Sequence, residues 1–306
     1  MSFTKIAPMP FSPVRSMLFV PADSERKLAK GEASGADALI LDLEDSVAPS
    51  RTQVAREMAL DYLRQRNSDK RGRQQLWVRI NPLSTPGALQ DLSVIVAGAP
   101  DCVMLPKVKS AADVIQLTHY LDALEAREGV ALGSIRIIPV ATETAQSLFT
   151  LGTYEGCSAR LCAMTWGAED IAAELGASTN RRPDGEYDSV YEMARTLCLA
   201  GAVAAGVQPI DTIWSNFGDE EGLQRDAVTG RQRGFTGKMA IHPNQVATIN
   251  AAFTPSEEEQ AWSRKVVELF ASHPEMGTIG LEGKMLDMPH LKQAQRVLAL
   301  VKRFAS

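Results

Sequence analysis

The run Ala38–Glu44, ALILDLE, opens on four apolar residues and closes on carboxylates. A short apolar run of this kind reads as a strand buried on both faces, as parallel sheets require. The same form recurs on either side of it. Arg15–Pro21 (RSMLFVP) precedes it. Leu76–Asn81 (LWVRIN), Cys102–Lys107 (CVMLPK), Arg136–Thr142 (RIIPVAT), Leu161–Gly167 (LCAMTWG), Pro209–Ser215 (PIDTIWS) and Lys238–Pro243 (KMAIHP) follow. Helix signals lie between them: Asp23 or Ser24 can cap SERKLAKGEASGA, Ser50 can cap RTQVAREMALDYLRQR, and Ser110 can cap AADVIQLTHYLDALEAR. Strands alternating with helices predict an α/β fold, and eight is the number of strands that closes a (β/α)8 TIM barrel. An open doubly wound sheet alternates in the same way, but VPADSER after the first strand lacks the Gly-rich phosphate fingerprint.

After Pro243 the pattern changes. NQVATINAAF, SEEEQAWSRKVVELFASH and DMPHLKQAQRVLALVKRFA read as helices with no strand between them, and TIGLEGKML reads as a Gly-containing loop. This divides the chain into a barrel domain over residues 1–250 and an appended C-terminal helical segment over 251–306. A length of 306 residues suits one barrel with an extension. A net charge of −5 gives no basic footprint for nucleic acid or an anionic membrane. No apolar run approaches the roughly 20 residues that span a bilayer, and MSFTKIAPMPFSPVR lacks the apolar stretch of a secretory signal, so a cytoplasmic location is expected. Cys102, Cys157, Cys162 and Cys198 have no CxxC spacing and read as free buried thiols.

In a barrel of this type the loops leaving the C-terminal strand ends converge on one mouth. Polar residues gather at those ends: Asp42, Glu44 and Asp45 after the second strand, Arg79 and Asn81 after the third, and Lys107 after the fourth. Glu143 follows the fifth, Glu169 and Asp170 the sixth, and His242 the eighth. Acids crowded at a low-dielectric mouth repel one another, and a divalent cation is the simplest means of keeping several ionised. Mg2+ suits one or two carboxylates completed by water and substrate oxygens. Counting rim positions alone leaves Asp42, Glu44, Asp45, Glu143, Glu169 and Asp170 equally eligible as ligands. The four histidines, at 119, 242, 273 and 290, are dispersed and form no zinc motif. His242 is expected to organise its own loop through hydrogen bonds. Arg79 lies between apolar neighbours in WVRIN, and strand alternation turns its guanidinium into the mouth. There it needs anions, with Glu44 as a protein partner and a substrate carboxylate or enolate oxygen as the functional one. Lys107 raises the alternative of a Schiff-base aldolase. Acids around it raise a lysine pKa, however, and favour an ion pair over a nucleophile.

The segments RSMLFVPADSERKLAK, DALILDLEDSVAP, WVRIN, VMLPKV, TETA, WGAEDIAAELG, GFTGKMAIHPNQV and EGKMLDMP resemble the citrate lyase β-subunit-like family of CoA-ester lyases, nearly from end to end. LDLEDSV and WGAED are the specific pieces. The resemblance implies that Glu143 of TETA and Asp170 of GAED bind Mg2+, and that Arg79 contacts a small keto-acid; Glu44, read above as its partner, completes the expected substrate-binding pair. It places Phe19, Arg26 and Lys30 near CoA, and Asp287 of GKMLDMP as a general base reaching into a neighbouring subunit. The implied reaction is a reversible Claisen-type cleavage of malyl-, methylmalyl-, citramalyl- or citryl-CoA. Malate-synthase-like hydrolysis of the thioester and a β subunit acting on a carrier-protein thioester in a citrate lyase complex are the alternatives. The same resemblance implies a homo-oligomer, a trimer or a multiple of one, with the C-terminal segment over a neighbour's site.

Overall fold

The computed structural model describes residues 12–66 and 74–305. The N-terminal stretch 1–11, read above for a leader, lies outside the described residues.

The barrel elements run β1 (Ser16–Pro21), α1 (Glu25–Glu32), β2 (Ala38–Asp42), α2 (Thr52–Gln65), β3 (Gln75–Arg79), α3 (Pro86–Ile95), β4 (Cys102–Leu105), α4 (Ala111–Glu128) and β5 (Arg136–Pro139). They continue through β6 (Ala163–Thr165), α5 (Ala168–Glu174), α6 (Ser189–Ala204), β7 (Gln208–Asp211), α7 (Glu220–Arg233), β8 (Gly237–Ala240) and α8 (Gln245–Phe253). All eight expected strands form. They pair in parallel in the order β5-β4-β3-β2-β1-β8-β7-β6. The ring is completed where β5 meets β6 by the bridges Ile137 to Leu161 and Val140 to Thr165, with the Ala141 N–H donating to the Thr165 carbonyl at 2.7 Å. Met17, Ile40, Trp77, Met104, Ile138, Ala163, Ile210 and Met239, one from each strand, pack as one buried cluster, so the barrel is a filled core.

Ser110 caps α4 as read, in a capping box with Asp113, and Gly129 ends that helix at φ +69°. Ser50 does not cap α2. Pro49 starts a 3₁₀ turn over Pro49–Arg51, so the α-helix begins later with Arg51 at its N-cap. Between β5 and β6 the connection consists of two 3₁₀ turns, Gln146–Phe149 and Leu151–Thr153. Cys102, Cys162 and Cys198 are buried and Cys157 is half-buried; all four are free thiols.

The chain divides into two compact units, Met1–Asn250 and Ala251–Ser306. The second unit holds α9 (Glu257–Ser272), β9 (Thr278–Leu281), β10 (Lys284–Asp287) and α10 (Met288–Ala305). The expectation that no strand separates its helices is corrected here. TIGL and KMLD form an antiparallel hairpin, turned by Glu282 at φ +50° and Gly283 at φ +78°. Two successive positive φ values match the twist of flanking strands and require a turn residue such as this glycine. The hairpin buries Ile279 and Leu286 against Val266, Phe270 and Ala294 of the two helices. Among the described residues, no helix is long and apolar enough to cross a membrane.

Candidate active site

The strand register builds the centre of the site. Asp42, last in β2, lies directly opposite Arg79, last in β3. The guanidinium grips that carboxylate with two parallel bonds, Nε to Oδ1 and Nη2 to Oδ2, each 2.7 Å. The backbone N–H groups of Glu44 and Ser46 donate to the same carboxylate, at 3.1 and 3.2 Å. Burial works to raise the Asp42 pKa, yet the arginine fork and these amides outweigh it and hold the carboxyl below its ordinary value. Arg79 lies 4.7 Å over the Phe19 ring, and Nη1 stands 3.0 Å from Glu44 Oε2. That last contact is a charge attraction only: Glu44 Oε2 is buried without a hydrogen-bond donor directed at it.

Glu44 takes its hydrogen bond on the other oxygen, from Lys107 Nζ at 2.5 Å. Burial dominates even so, and the Glu44 carboxyl is pushed up to about 7 against the pull of Arg79 and Lys107. Lys107 also reaches Asp45 at 3.1 Å and Asp170 at 3.4 Å. Burial alone would lower its pKa, but bonding to Glu44 and the other acids raises it, an ion-paired setting that disfavours the neutral amine a Schiff-base nucleophile needs. Its backbone sits at φ +51°, in the left-handed region, and this turn delivers its N–H to Glu143 Oε2 at 2.5 Å.

Glu143 is 5% exposed. Its carboxyl is driven well above the ordinary value, first by burial and then by the charges of Asp170 and Glu44, with only the Lys107 N–H and Arg79 pulling the other way. The side chain lies against Gly167, where a Cβ would stand 2.7 Å from Glu143 Cγ. Gly167 in turn donates its N–H to Thr142 Oγ1 at 3.2 Å. Asp170, in the first turn of α5, is partly open, its side chain 29% exposed. The mouth thus sets five carboxylates, Asp42, Glu44, Asp45, Glu143 and Asp170, around the cations Arg79 and Lys107. Asp170 shares Lys107 with Glu44 and Asp45, Glu143 receives only the backbone N–H of Lys107 and the more distant charge of Arg79, and a divalent ion fits that deficit. Among the described residues no group of three acidic, histidine or cysteine side chains could hold a metal, so waters or substrate oxygens would complete the set.

Of the positions singled out from the sequence, Arg79, Glu44, Glu143 and Asp170 come together here, joined through Lys107. Glu169 is exposed. Phe19, Arg26 and Lys30 line a separate cavity of about 270 Å³ between β1 and α1, with His242 on its rim. His242 accepts the Asn244 N–H at Nδ1 (3.3 Å) and stacks on Phe217 with ring centroids 5.2 Å apart. Asp287 belongs to the second unit, where its Oδ1 is 2.5 Å from His290 Nδ1. Sequence reading missed two parts: Asp42 as the main anchor of Arg79, which only the register reveals, and Gly167 as the slot for Glu143.

An eight-stranded parallel barrel gathers these acids and the arginine at its C-terminal mouth, the place where enzymes of this fold carry their active sites. The chain belongs to the HpcH/HpaI aldolase/citrate lyase family, whose model matches residues 15–243. It is 38% identical over 282 residues to the citrate lyase subunit beta-like protein of Mycobacterium tuberculosis, covering 92% of this chain and 93% of that one. The mitochondrial citramalyl-CoA lyase of Mus musculus is 32% identical over 302 residues, with 95% and 86% covered. The crystal structure of protein CitE from Mycobacterium tuberculosis in complex with magnesium, acetoacetate and coenzyme A superposes with a TM-score of 0.77 at 35% identity, covering 95% of this chain and all of that one.

Proposed function

We propose that this chain is a Mg2+-dependent carbon–carbon lyase. Its substrate would be a 3-hydroxyacyl-CoA of the malyl-, methylmalyl-, citramalyl- or citryl-CoA type, and its products a CoA thioester and a small keto-acid. The observation that carries the reading is Glu143, a carboxylate buried at the barrel mouth and disfavoured there as an anion, with the charge of Asp170 beside it. Two such carboxylates hold Mg2+ while leaving positions for water and substrate. When bound, the ion supplies Lewis-acid polarisation of the keto-acid oxygens. The magnesium, acetoacetate and coenzyme A of the mycobacterial CitE complex support the same assignment.

The remaining work falls to the chain. Arg79, its orientation fixed by the two bonds to Asp42 and its charge balanced in part by Glu44, offers Nη1 to the carboxylate and developing oxyanion of the keto-acid. Arg26 and Lys30 present cations to the phosphates of CoA along the cavity that Phe19 lines. Asp287 of a neighbouring subunit takes the substrate hydroxyl proton. The carbon–carbon bond then breaks, its electron pair passes to the carbon beside the thioester, and the alcohol carbon becomes the keto group. Protonation of the resulting enolate gives the CoA thioester. This role for Asp287 requires a homo-oligomer, a trimer or a multiple of one.

A spectrophotometric panel of the four thioesters, each with and without chelator, tests the reading. Cleavage of one or more that stops on chelation and returns with Mg2+ is expected. Asp170→Asn should abolish that cleavage while leaving the fold intact, and full activity in this variant would remove the metal assignment. Release of free CoA from glyoxylate and acetyl-CoA would move the assignment to a malate-synthase-like reaction. Activity only with an acylated carrier protein would move it to a citrate lyase subunit.

A further inference from the structure

The stretch Thr165–Asp170 carries the Gly167 slot for Glu143 and the Asp170 carboxylate, so its placement sets the distance between the two proposed ligands. One side of this stretch is fixed by the barrel, through Ala141 N–H to the Thr165 carbonyl at 2.7 Å and Gly167 N–H to Thr142 Oγ1 at 3.2 Å. The other side is fixed by Trp166. Its indole is fully buried and donates Nε1–H to Asp211 Oδ1 at 2.7 Å. Asp211 is the last residue of β7 and is itself fully buried. Its second oxygen receives Arg195 Nη2 from α6 at 2.5 Å and lies 3.6 Å from Lys238 Nζ of β8. Lys238 also donates to the Thr212 carbonyl at 2.7 Å and to Asp226 of α7 at 2.6 Å. Arg195 lies 3.4 Å from Asp226. Tyr187 packs edge-on against the Trp166 ring, with centroids 5.0 Å apart.

A general scaffold would need the two acids and two cations only. The indole N–H adds a directional bond from that rigid cluster to the residue immediately before Gly167. We propose that Trp166 and Asp211 are positioning residues for the divalent ion: the bond between them holds the Gly167–Asp170 stretch at the spacing at which Glu143 and Asp170 chelate together. The proposal rests on the metal reading above and adds to it a residue pair that touches neither ion nor substrate.

The test is direct Mn2+ binding to the purified full-length protein, read by the loss of the free-ion electron paramagnetic resonance signal, beside the Mg2+ dependence of cleavage. Trp166→Phe keeps an aromatic ring and removes the N–H. Its affinity for Mn2+ should fall several-fold, up to the roughly tenfold that follows loss of a group bonded directly to a metal ligand. The concentration of Mg2+ giving half-maximal rate should rise by a similar factor, with kcat largely recovered at saturating Mg2+. Asp211→Asn tests the same bond should Trp166→Phe fail to fold. Arg195 and Lys238 keep the amide oxygen on their side, so its NH2 group faces the indole N–H and the Thr212 N–H, and both bonds to that atom are lost. Glu125→Gln, in the buried Arg160 cluster elsewhere in the barrel, is the control. It should lower the unfolding midpoint without changing Mn2+ affinity.

Unchanged Mn2+ affinity in a folded Trp166→Phe or Asp211→Asn protein overturns the proposal and leaves the metal site standing. Equal weakening in Glu125→Gln overturns it as well, by showing that general destabilisation is sufficient. A wild-type protein that binds no Mn2+ refutes the metal reading and the positioning role together.

Discussion

Gly167→Ala isolates the contribution of one missing methyl group to the site. The residue has φ −116° and ψ 114°, which alanine adopts without strain, so the substitution acts through space alone. The new Cβ would lie 2.7 Å from Glu143 Cγ and 3.1 Å from Oε1, whereas ordinary contact begins at 3.4 Å. Glu143 must therefore shift by about 0.7 Å, yet it is 5% exposed and its Oε2 is tied to the Lys107 N–H at 2.5 Å. Overpacking of this size costs about 1–3 kcal/mol, and displacement of a reacting geometry by about 1 Å costs on the order of 100-fold in rate. Urea unfolding should show the first and the Mg2+-dependent cleavage assay the second. Gly152→Ala is the matched control, since its Cβ meets nothing within 4 Å and its φ is not positive. It should stay within about 0.5 kcal/mol of wild type. A Gly167→Ala protein with wild-type stability and rate would show that the close contact does not hold Glu143, and the account of the slot would fail.

Two further outcomes are expected. Glu143→Gln keeps an oxygen for the Lys107 N–H and removes an acid whose ionised form burial and its neighbours disfavour, so without metal it should be about 1–3 kcal/mol more stable than wild type at pH 7 while losing Mn2+ binding; a less stable variant would show that the carboxylate is not strained. Glu44 has its folded-state pKa raised from 4.5 to about 7, so its contribution to stability is complete below about pH 4.5 and is lost as pH rises toward 7, amounting to at most about 3 kcal/mol. Glu44→Gln should flatten the decline of the urea midpoint across that window, and an unaltered slope would count against the assignment.

The barrel was readable from the sequence because its strands are largely buried on both faces and several are written as unbroken apolar runs, as ALIL in β2 and VML in β4 show. The hairpin was missed for the opposite reason. TIGL and KMLD are four residues each and largely exposed, so their identity as strands depends on the turn at Glu282 and Gly283 and on the helices they cover. At the site, alternation correctly turned Arg79 toward the acids, but it could not choose among them. Asp42 and Glu44 are two residues apart, and only the pairing of β2 with β3 puts Asp42 opposite the guanidinium. The slot at Gly167 was similarly hidden, because a glycine's value as empty space depends on a side chain 24 positions away in sequence.

Lys107 holds a backbone torsion that a lysine adopts at a cost of about 1–2 kcal/mol. From one Cα it sends an amide to Glu143 and an ammonium group to Glu44, Asp45 and Asp170. A glycine there would relieve the torsion and cut the ammonium contacts; an uncharged L residue would keep the torsion and lose the charge. Backbone ease and the ion-pair network at the mouth therefore oppose each other at this single position.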